Sequence, residues 1–444
     1  MEPAEQARDI FLASLAAIDV KAELKRRVRV EDETLFIDRQ EIALSGKREV
    51  LVIGFGKASL PMGAAVEEML GDRFSRGILV TDRRHRVKVK SDVIVAGHPL
   101  PNANSLLAGE RIISAIESCA DDCLIIFLIS GGGSSLVEAP ITPDVSLEDL
   151  QKLNKLLVGC GANIREINTI RKRLSRIKGG KLGLLASRLR SVGVFISDVN
   201  PGDIRSLASN PLLPEARREG EVEEIIERYN LGPALPESIR SALNLTGGGL
   251  LPEGASREGD WLTHIVLLDN RDAVDAAAAY AARLGYLVEI DFENAEGDYR
   301  VVADRLIEKL RVLQSSNPGR PVCLVSGGEV SCPVKGDGLG GRNQEFVLYS
   351  ASRQAAFDRE SSVTVLSCGT DGIDGNSNAA GAVAGVDVVH AISKQGIDLT
   401  GYFSRSDVHS FFRQFGGAVF TGPTGNNVRD IRILLSNPVS SQNL

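Results

Sequence analysis

The chain has 444 residues, 43% hydrophobic, 25% charged and 5% aromatic, with 45 glycines and a formal net charge of −7. That length exceeds what one core usually fills, so two domains are expected, and sparse aromatics with many glycines suit a loop-rich α/β protein better than a β-sandwich. The acidic balance excludes a broad nucleic-acid surface; Glu2 and Glu5 stand where a signal peptide would be basic, and no apolar run approaches membrane-spanning length, so a cytoplasmic chain with no membrane partner is expected.

In chain order, a first helix is expected from Pro3 to about Val20, with Ala7, Phe11, Leu15 and Ile18 on one face, and a polar hairpin around Val28 to Leu44. Glu49 to Ile53 reads as a buried strand that ends in GFGKAS, Gly54 to Ser59, before a helix reaching about Leu70. Gly77 to Thr81 and Val93 to Ala96 are the next strands, with the basic run Arg83 to Lys90 between them read as a solvated edge strand. A helix from Asn104 to Ser118 leads into Cys123 to Leu136, CLIIFLISGGGSSL.

That stretch organises the chain. Leu124 to Ile129 is entirely apolar, as a strand buried on both faces must be. Three glycines then free the backbone to turn with its N–H groups outward, and Ser134 and Ser135 are placed to open a helix. Strand, Gly-rich turn and helix start together favour an anion, with phosphate the usual guest, although a tight turn alone also fits. Val322 to Ser331, VCLVSGGEVS, repeats the pattern.

Ser146 to Asp149 resembles a capping box for a helix to about Val158. A further helix, from Ile164 toward Lys178, is basic at its far end through Arg171, Lys172, Arg173, Arg176 and Lys178; the helix dipole and a binding role explain that equally well. Val192 to Ile196 is a buried strand that delivers Ser197, Asp198 and the turn Asn200 to Asp203. Proline, glutamate and arginine rise from about Asn210 to Pro236, which sets the expected domains at 1–235 and 236–444. Beyond them follow strands at His264 to Leu268 and Leu287 to Asp291, helices at Arg271 to Leu284 and Tyr299 to Leu313, and the SGGE strand. The loop Gly336 to Arg342 hands Arg342 to a helix from Asn343 to Ala356, and Val363 to Ser367 is the last clear buried strand before the Gly-rich Cys368 to Ala382. In the first half, strands alternating with helices predict a doubly wound, parallel α/β sheet with ligands beyond the carboxyl ends of the strands. The six cysteines show no C-x-x-C pair and no metal spacing with a histidine, as in a reduced protein with buried thiols.

Every Gly-rich or acidic segment ends a strand, so one cleft between the domains is expected to gather them. Phosphoryl transfer needs donors for phosphate oxygens, a cation, carboxylates for a metal and a carboxylate for the attacking hydroxyl. Lys57 and Arg342 are candidate cations, Ser130 to Ser134 the donors, and Asp198, Asp203, Asp371 and Asp374 the carboxylates. GFGKAS is close to a dinucleotide fingerprint, with Ser59 at the third glycine's place and Asp82 ending a later strand, but the Lys57 ammonium intrudes where backbone should meet a pyrophosphate. A Walker A loop fails because Leu51 and Ala58 replace its first glycine and its Ser or Thr. His98, in GHPLP, has no evident partner in the sequence.

LISGGGSSL, NTIRKRLSRIKGGKL, ISDV followed by PGD, SGGE, GGRNQEF, GTDGIDG with AAGAV, and TGPTGNNVRDIRILL together resemble the glycerate 2-kinase family, whose C-terminal region is the MOFRL domain. The resemblance spans nearly the whole chain. It implies a Rossmann-like N-terminal domain and a distinct C-terminal α/β domain, ATP and a divalent cation such as Mg²⁺ as cofactors, and D-glycerate phosphorylated on its 2-hydroxyl. It implies catalytic roles for Lys57, Asp198 and Arg342. From the residues themselves, Ser130, Gly131, Gly132, Gly133, Ser134, Glu329 and Asn343 are expected to bind substrate or phosphate, with Asp371 and Asp374 near the metal or nucleotide. A homodimer is one expected state, and a kinase for another small hydroxy acid or an NAD(P)H-dependent hydroxypyruvate reductase is the alternative activity. The chain departs from the family pattern at Asn102, Asn200, Asn210 and Asn378.

Overall fold

The computed structural model describes residues 2–438, apart from 45–48, 84–86, 216–217, 219, 246–258, 260, 292, 294–295 and 358–362. It divides into two units, one of Val20–Leu267 and one of Met1–Asp19 with Leu268–Leu444.

The Val20–Leu267 unit begins with a three-stranded antiparallel meander, β1 (Val28–Glu31), β2 (Thr34–Ile37) and β3 (Gln40–Ala43), where the polar hairpin was expected. Its main sheet contains β4 (Glu49–Phe55), β5 (Arg76–Thr81), β6 (Asp92–Val95), β7 (Cys123–Ile129), β8 (Arg190–Ile196) and β9 (Leu262–Leu268) in the order β6-β5-β4-β7-β8-β9. Counted from β4 this is 3-2-1-4-5-6, the dinucleotide-fold order, with parallel pairing from β6 through to β8. Every side chain of β7 is buried, and Val50 to Phe55 of β4 beside it are buried too, as central strands covered on both faces require. The order reverses between β4 and β7, and both strands end where GFGKAS and SGGGS begin, which is the crevice position for a ligand.

The other unit is built on a mixed sheet. It contains β10 (Leu287–Asp291), β12 (Val322–Gly328), β14 (Val363–Gly369), β15 (Gly381–Ala384), β16 (Ala418–Val419) and β17 (Asp430–Ser436), in the order β10-β12-β17-β14-β15-β16. A separate short ribbon pairs β11 (Gly297–Asp298) with β13 (Val330–Ser331). Only β10 and β12 of the sheet run parallel; the remaining pairs are antiparallel. The sheet is therefore mixed, as befits a C-terminal α/β domain distinct from the first, because β17 inserts between β12 and β14 in the opposite direction.

The division differs from the expected one at 235/236. Residues in the Pro- and Glu-rich stretch still carry apolar side chains at helical spacing. Val222, Ile225, Leu231, Leu235 and Ile239 pack with Leu153, Leu157, Ile167 and Ile170 in one buried cluster of the Val20–Leu267 unit. The strand expected to restart the second half, β9, instead extends the first sheet beside β8, with the Ser191 N–H donating to the Trp261 carbonyl at 2.7 Å. The first helix, Pro3–Ala17, belongs to the unit of the C-terminal half, where it packs on helix Asn270–Arg283 and on β14. The basic edge strand expected from Arg83 to Lys90 is absent over Val87 to Lys90, and residues 84–86 lie outside the described part; β6 is the edge. Helix Ile164–Arg173 stops before the expected Lys178.

Candidate active site

The Gly-rich loop after β7 is stitched to the GFGKAS loop after β4. Lys57 N–H donates to the Gly131 carbonyl at 2.9 Å, Ala58 N–H to Ser130 Oγ at 3.0 Å, and Ser130 N–H to the Phe55 carbonyl at 3.1 Å. Gly56 N–H donates to the Val80 carbonyl at 3.2 Å and Ser59 N–H to the Gly56 carbonyl at 3.1 Å. The donors of the GFGKAS turn are thus spent inside the protein and none of these four is left for a pyrophosphate. Gly56 has φ +126°, and a Cβ there would lie 2.2 Å from Ser130 Oγ, so only glycine permits the seam. Ser130, expected to bind phosphate, is buried within that seam.

Among the described residues the N–H groups of Gly131 and Gly132 have no hydrogen-bond partner, and a buried, unpaired donor such as that of Gly131 points to a ligand or water. Asp198, just beyond β8, borders this point: a Cβ on Gly131 would stand 1.9 Å from its Oδ2. A Cβ on Gly132 would lie 3.0 Å from the His98 ring and 3.5 Å from Lys57 Cγ. The loop therefore has a carboxylate on one side and a lysine stem with an imidazole on another. Asp82, at the end of β5, is pushed up by burial, but the Arg83 hydrogen bond and the charges of Lys57 and His98 pull it below the usual carboxylate range. Because Gly131 is the only residue type that leaves room for Asp198, Gly131→Ala is expected to lower kcat about tenfold or more with a melting temperature near wild type. Unchanged turnover in a steady-state assay would remove Asp198 from the site.

Two features of this site were not read from the sequence. His98 borders the site because the loop after β6, two strands from β4, reaches Gly132. Ala208, Ser209 and Asn210 have φ of 48°, 60° and 52°, a left-handed run that lies under the loop. Ser209 Oγ shares a 2.8 Å hydrogen bond with Ser134 Oγ and donates to Asn168 Oδ1 at 3.2 Å; Gly133 approaches Ala208 so closely that a Cβ would sit 3.0 Å from its own. Strain of this kind collects at functional sites. The departure at Asn210 is explained here, since asparagine tolerates the left-handed φ that glycine otherwise supplies, and its side chain bonds both the N–H and the carbonyl of Leu213. Asn102 caps helix Ala103–Glu117 in a capping box with Ser105, a task it performs as well as aspartate. Asn378 is exposed, and the Asn200 carbonyl accepts from Asp203 N–H at 2.9 Å to close its turn.

Beside the loop lies a cavity of about 440 Å³ within the same unit, bordered by Gly132, Ser134, Arg171 and Lys178. Of the cations expected at the end of their helix, Arg171 and Lys178 line this cavity, whereas Lys172 pairs with Glu215 at 2.8 Å and Arg176 with Glu110 at 2.9 Å. Burial pushes Lys178 below the usual lysine range against the pull of Glu138, its buried ion-pair partner.

The second group of candidates lies in the other unit. Arg342 opens helix Arg342–Phe357, and its fork donates to Asp430 from Nε at 2.7 Å and Nη2 at 3.0 Å, while Nη1 meets Glu329 at 2.8 Å. Burial opposes the charge, but Asp430 and Glu329 hold the guanidinium above its usual range. Asp430 was not singled out from the sequence, although it stands in the NNVRDIRILL segment. Asn343 is almost fully buried, accepting from Ser367 Oγ at 2.5 Å and donating to Asp374 at 3.3 Å, so it braces the helix start and has no exposed edge for a substrate. Asp374 corrects the metal expectation: its two oxygens accept the Asn343 and Gln344 N–H groups at 3.0 and 2.9 Å and the Gln344 amide at 3.0 Å. It is a buried cap for the helix, pushed up to about 6 by desolvation. Asp371 accepts from Ile373 N–H at 3.1 Å in the turn after β14. Among the described residues one cluster has metal-ligand spacing, Glu49 with Cys119 and Cys123, but Glu49 is paired with Arg76 and burial pushes the Cys123 thiol up.

Residues 6–244 match a family described as a domain of unknown function, DUF4147, and residues 322–430 match the MOFRL family. A glycerate 2-kinase from Pyrococcus horikoshii is 33% identical over 95% of this chain and 94% of its own length. A relative from Agrobacterium vitis with a provisional hydroxypyruvate reductase name is 38% identical over 87% of this chain and 98% of its own. The crystal structure of a glycerate kinase from Thermotoga maritima superposes with a TM-score of 0.80 at 28% identity, covering 98% of this chain and 99% of that one. With both family models matched in order and likeness in sequence and fold along nearly its whole length, the chain belongs to the glycerate 2-kinase family.

Proposed function

We propose that the protein transfers the γ-phosphoryl group of ATP to the 2-hydroxyl of D-glycerate, releasing ADP and 2-phosphoglycerate. The observation that carries this reading is the pair of unpartnered N–H groups at Gly131 and Gly132, bordered by Asp198 on one side and the Lys57 stem on another. Backbone donors hold phosphate oxygens without a reorganisation cost at the moment of transfer. Lys57 neutralises charge on the phosphoryl group as it moves. Asp198 orients the 2-hydroxyl and accepts its proton while the new O–P bond forms and the bond from the γ-phosphorus to the bridging oxygen of ADP breaks. Arg342 spends its Nε and one Nη2 hydrogen on Asp430 and turns Nη1 to Glu329, so the anion-gripping role proposed for it falls to the guanidinium hydrogens these bonds leave over.

For Mg²⁺ the donor chemistry fits at Asp371, a carboxylate of the hard-oxygen kind this ion prefers, and Asp374 is withdrawn from that role because its oxygens are taken. When bound there, the ion would supply positive charge.

Phosphorus NMR of the product made from ATP and D-glycerate is the direct test, and 2-phosphoglycerate with ADP is the expected result. A 3-phosphoglycerate signal, or no new phosphate ester, sinks the proposal. The reductase reading draws support from the name of the Agrobacterium vitis relative. Against it, the GFGKAS donors that would cradle a dinucleotide are already bonded to Val80, Gly131 and Ser130. Oxidation of NADH by hydroxypyruvate without ATP would favour it.

A further inference from the structure

We propose that the cavity beside the Gly-rich loop holds the nucleoside half of the phosphate donor, an inference that rests on the kinase function proposed above. At about 440 Å³ the cavity falls within the range of roughly 300 to 1,000 Å³ that accommodates drug-sized ligands. Glycerate, a three-carbon acid with almost no apolar surface, would leave most of that volume empty and gain nothing from an aliphatic wall. The wall is aliphatic: Leu153, Leu157 and Val158 from helix Leu147–Gly159, with Leu174. A flat aromatic base set against branched side chains buries apolar area on its face. Gly132 and Ser134 border the same space, so phosphates attached to that nucleoside lie next to the unpartnered N–H groups of the loop.

The polar lining fits a nucleotide as well. Lys178 and Glu138 form a buried pair whose net charge is zero wherever the shared proton resides, and Arg171 adds one uncompensated positive charge. Arg171 Nη2 donates to Asn154 Oδ1. That bond fixes the Asn154 amide so that its NH₂ group, which has no partner among the described residues, can donate to an acceptor such as a purine ring nitrogen. The wall is held in place before any ligand arrives, since Gln151 Nε2 donates to the Pro101 carbonyl at 2.8 Å and ties the helix to the His98–Pro101 loop. All of these residues belong to one unit, so the cavity is complete within it.

Val158 is 62% exposed and sits on the rim, so a larger side chain there narrows the cavity without disturbing the core. Val158→Trp is expected to raise KM for ATP about tenfold or more, with KM for D-glycerate unchanged, which marks lost binding of one substrate only. Inhibition by inorganic tripolyphosphate, which carries no nucleoside, is expected to stay at the wild-type level. Asn154→Leu is expected to weaken ADP binding in calorimetry without glycerate present. A rise in the glycerate KM with that for ATP unaltered would assign the cavity to the acceptor and overturn the inference, as would a Val158→Trp enzyme with every constant intact. The two readings fail separately. If the wild-type chain makes no phosphoglycerate but binds ADP and Val158→Trp does not, the activity is wrong and the nucleoside cavity stands; if glycerate is phosphorylated and ADP binds both proteins equally, the cavity assignment falls alone.

Discussion

Lys57→Met is expected to lower kcat by about 100-fold or more while the melting temperature stays near the wild-type value, because removal of one preorganised charge at a reacting group typically costs that much. Methionine keeps the length and apolar stem of the lysine and deletes only the ammonium. The backbone role of the residue is untouched, since its N–H bond to the Gly131 carbonyl at 2.9 Å does not involve the side chain. The stem passes close to Gly132, one of the two residues whose N–H groups have no hydrogen-bond partner among the described residues, so in the proposed mechanism the charge and the backbone donors act on the same phosphate. Loss in kcat with little change in the glycerate KM would mark an interaction made mainly in the transition state. Lys57→Arg, which restores charge with a different shape, is expected to recover part of the rate. Normal turnover by Lys57→Met in a steady-state assay would end the assignment.

Local patterns were legible wherever one residue type carries one physical demand. CLIIFLI has no polar position, and every one of its side chains is buried in β7. The same holds for the Gly-rich turn, where positive φ at Gly132 and close approaches at Gly131 and Gly133 demand the missing Cβ. Demands shared between distant segments left weaker traces. Nothing within Pro3–Ala17 announces that it packs on a helix that begins at Asn270, since any apolar face would accept its own. The stretch around Val222 and Leu235 reads as a boundary because prolines and charges dilute apolar residues that nevertheless join one cluster. β17 was missed although it lies between β12 and β14, because Arg432 interrupts its apolar run. That arginine is fully buried, donating to the Gly327 carbonyl at 2.9 Å and standing over the Phe346 ring at 5.3 Å, and burial pushes it down to about 10 despite Asp430. A buried arginine is tolerable only when its partners converge from other strands, which no local reading reveals.

Those partners make Asp430→Asn a strongly destabilising substitution for this fold. The carboxylate is fully buried, accepts both forks of Arg342 at 2.7 and 3.0 Å, and lies 3.6 Å from Arg432 Nη2. Asparagine has nearly the same shape, but it turns an NH₂ group toward guanidinium donors, leaves the buried Arg432 without its counter-charge and leaves the partly exposed Arg342 with Glu329 alone. Breaking such a pair from one side costs roughly 3 to 5 kcal/mol, a fall in melting temperature on the order of 10 °C for a unit of this size. Arg342 loses the partner that aims it, so kcat is expected to drop about 100-fold, the scale of a misplacement near 1 Å. The pH dependence separates charge from shape. Burial pushes Asp430 up, but Arg342 and Arg432 pull it below the usual carboxylate range, so the unfolded chain takes up its proton first, near pH 3.9 by the reference value, roughly. Between that value and the lower native one the unfolded state binds more protons, and stability falls as the medium is acidified through this window. Above it the wild type holds its full advantage over Asp430→Asn, and below it the two denaturation curves should converge. Curves that stay equally far apart at neutral pH and in acid would mean that the carboxylate acts there by shape, and that Arg342 is aimed by something other than its charge.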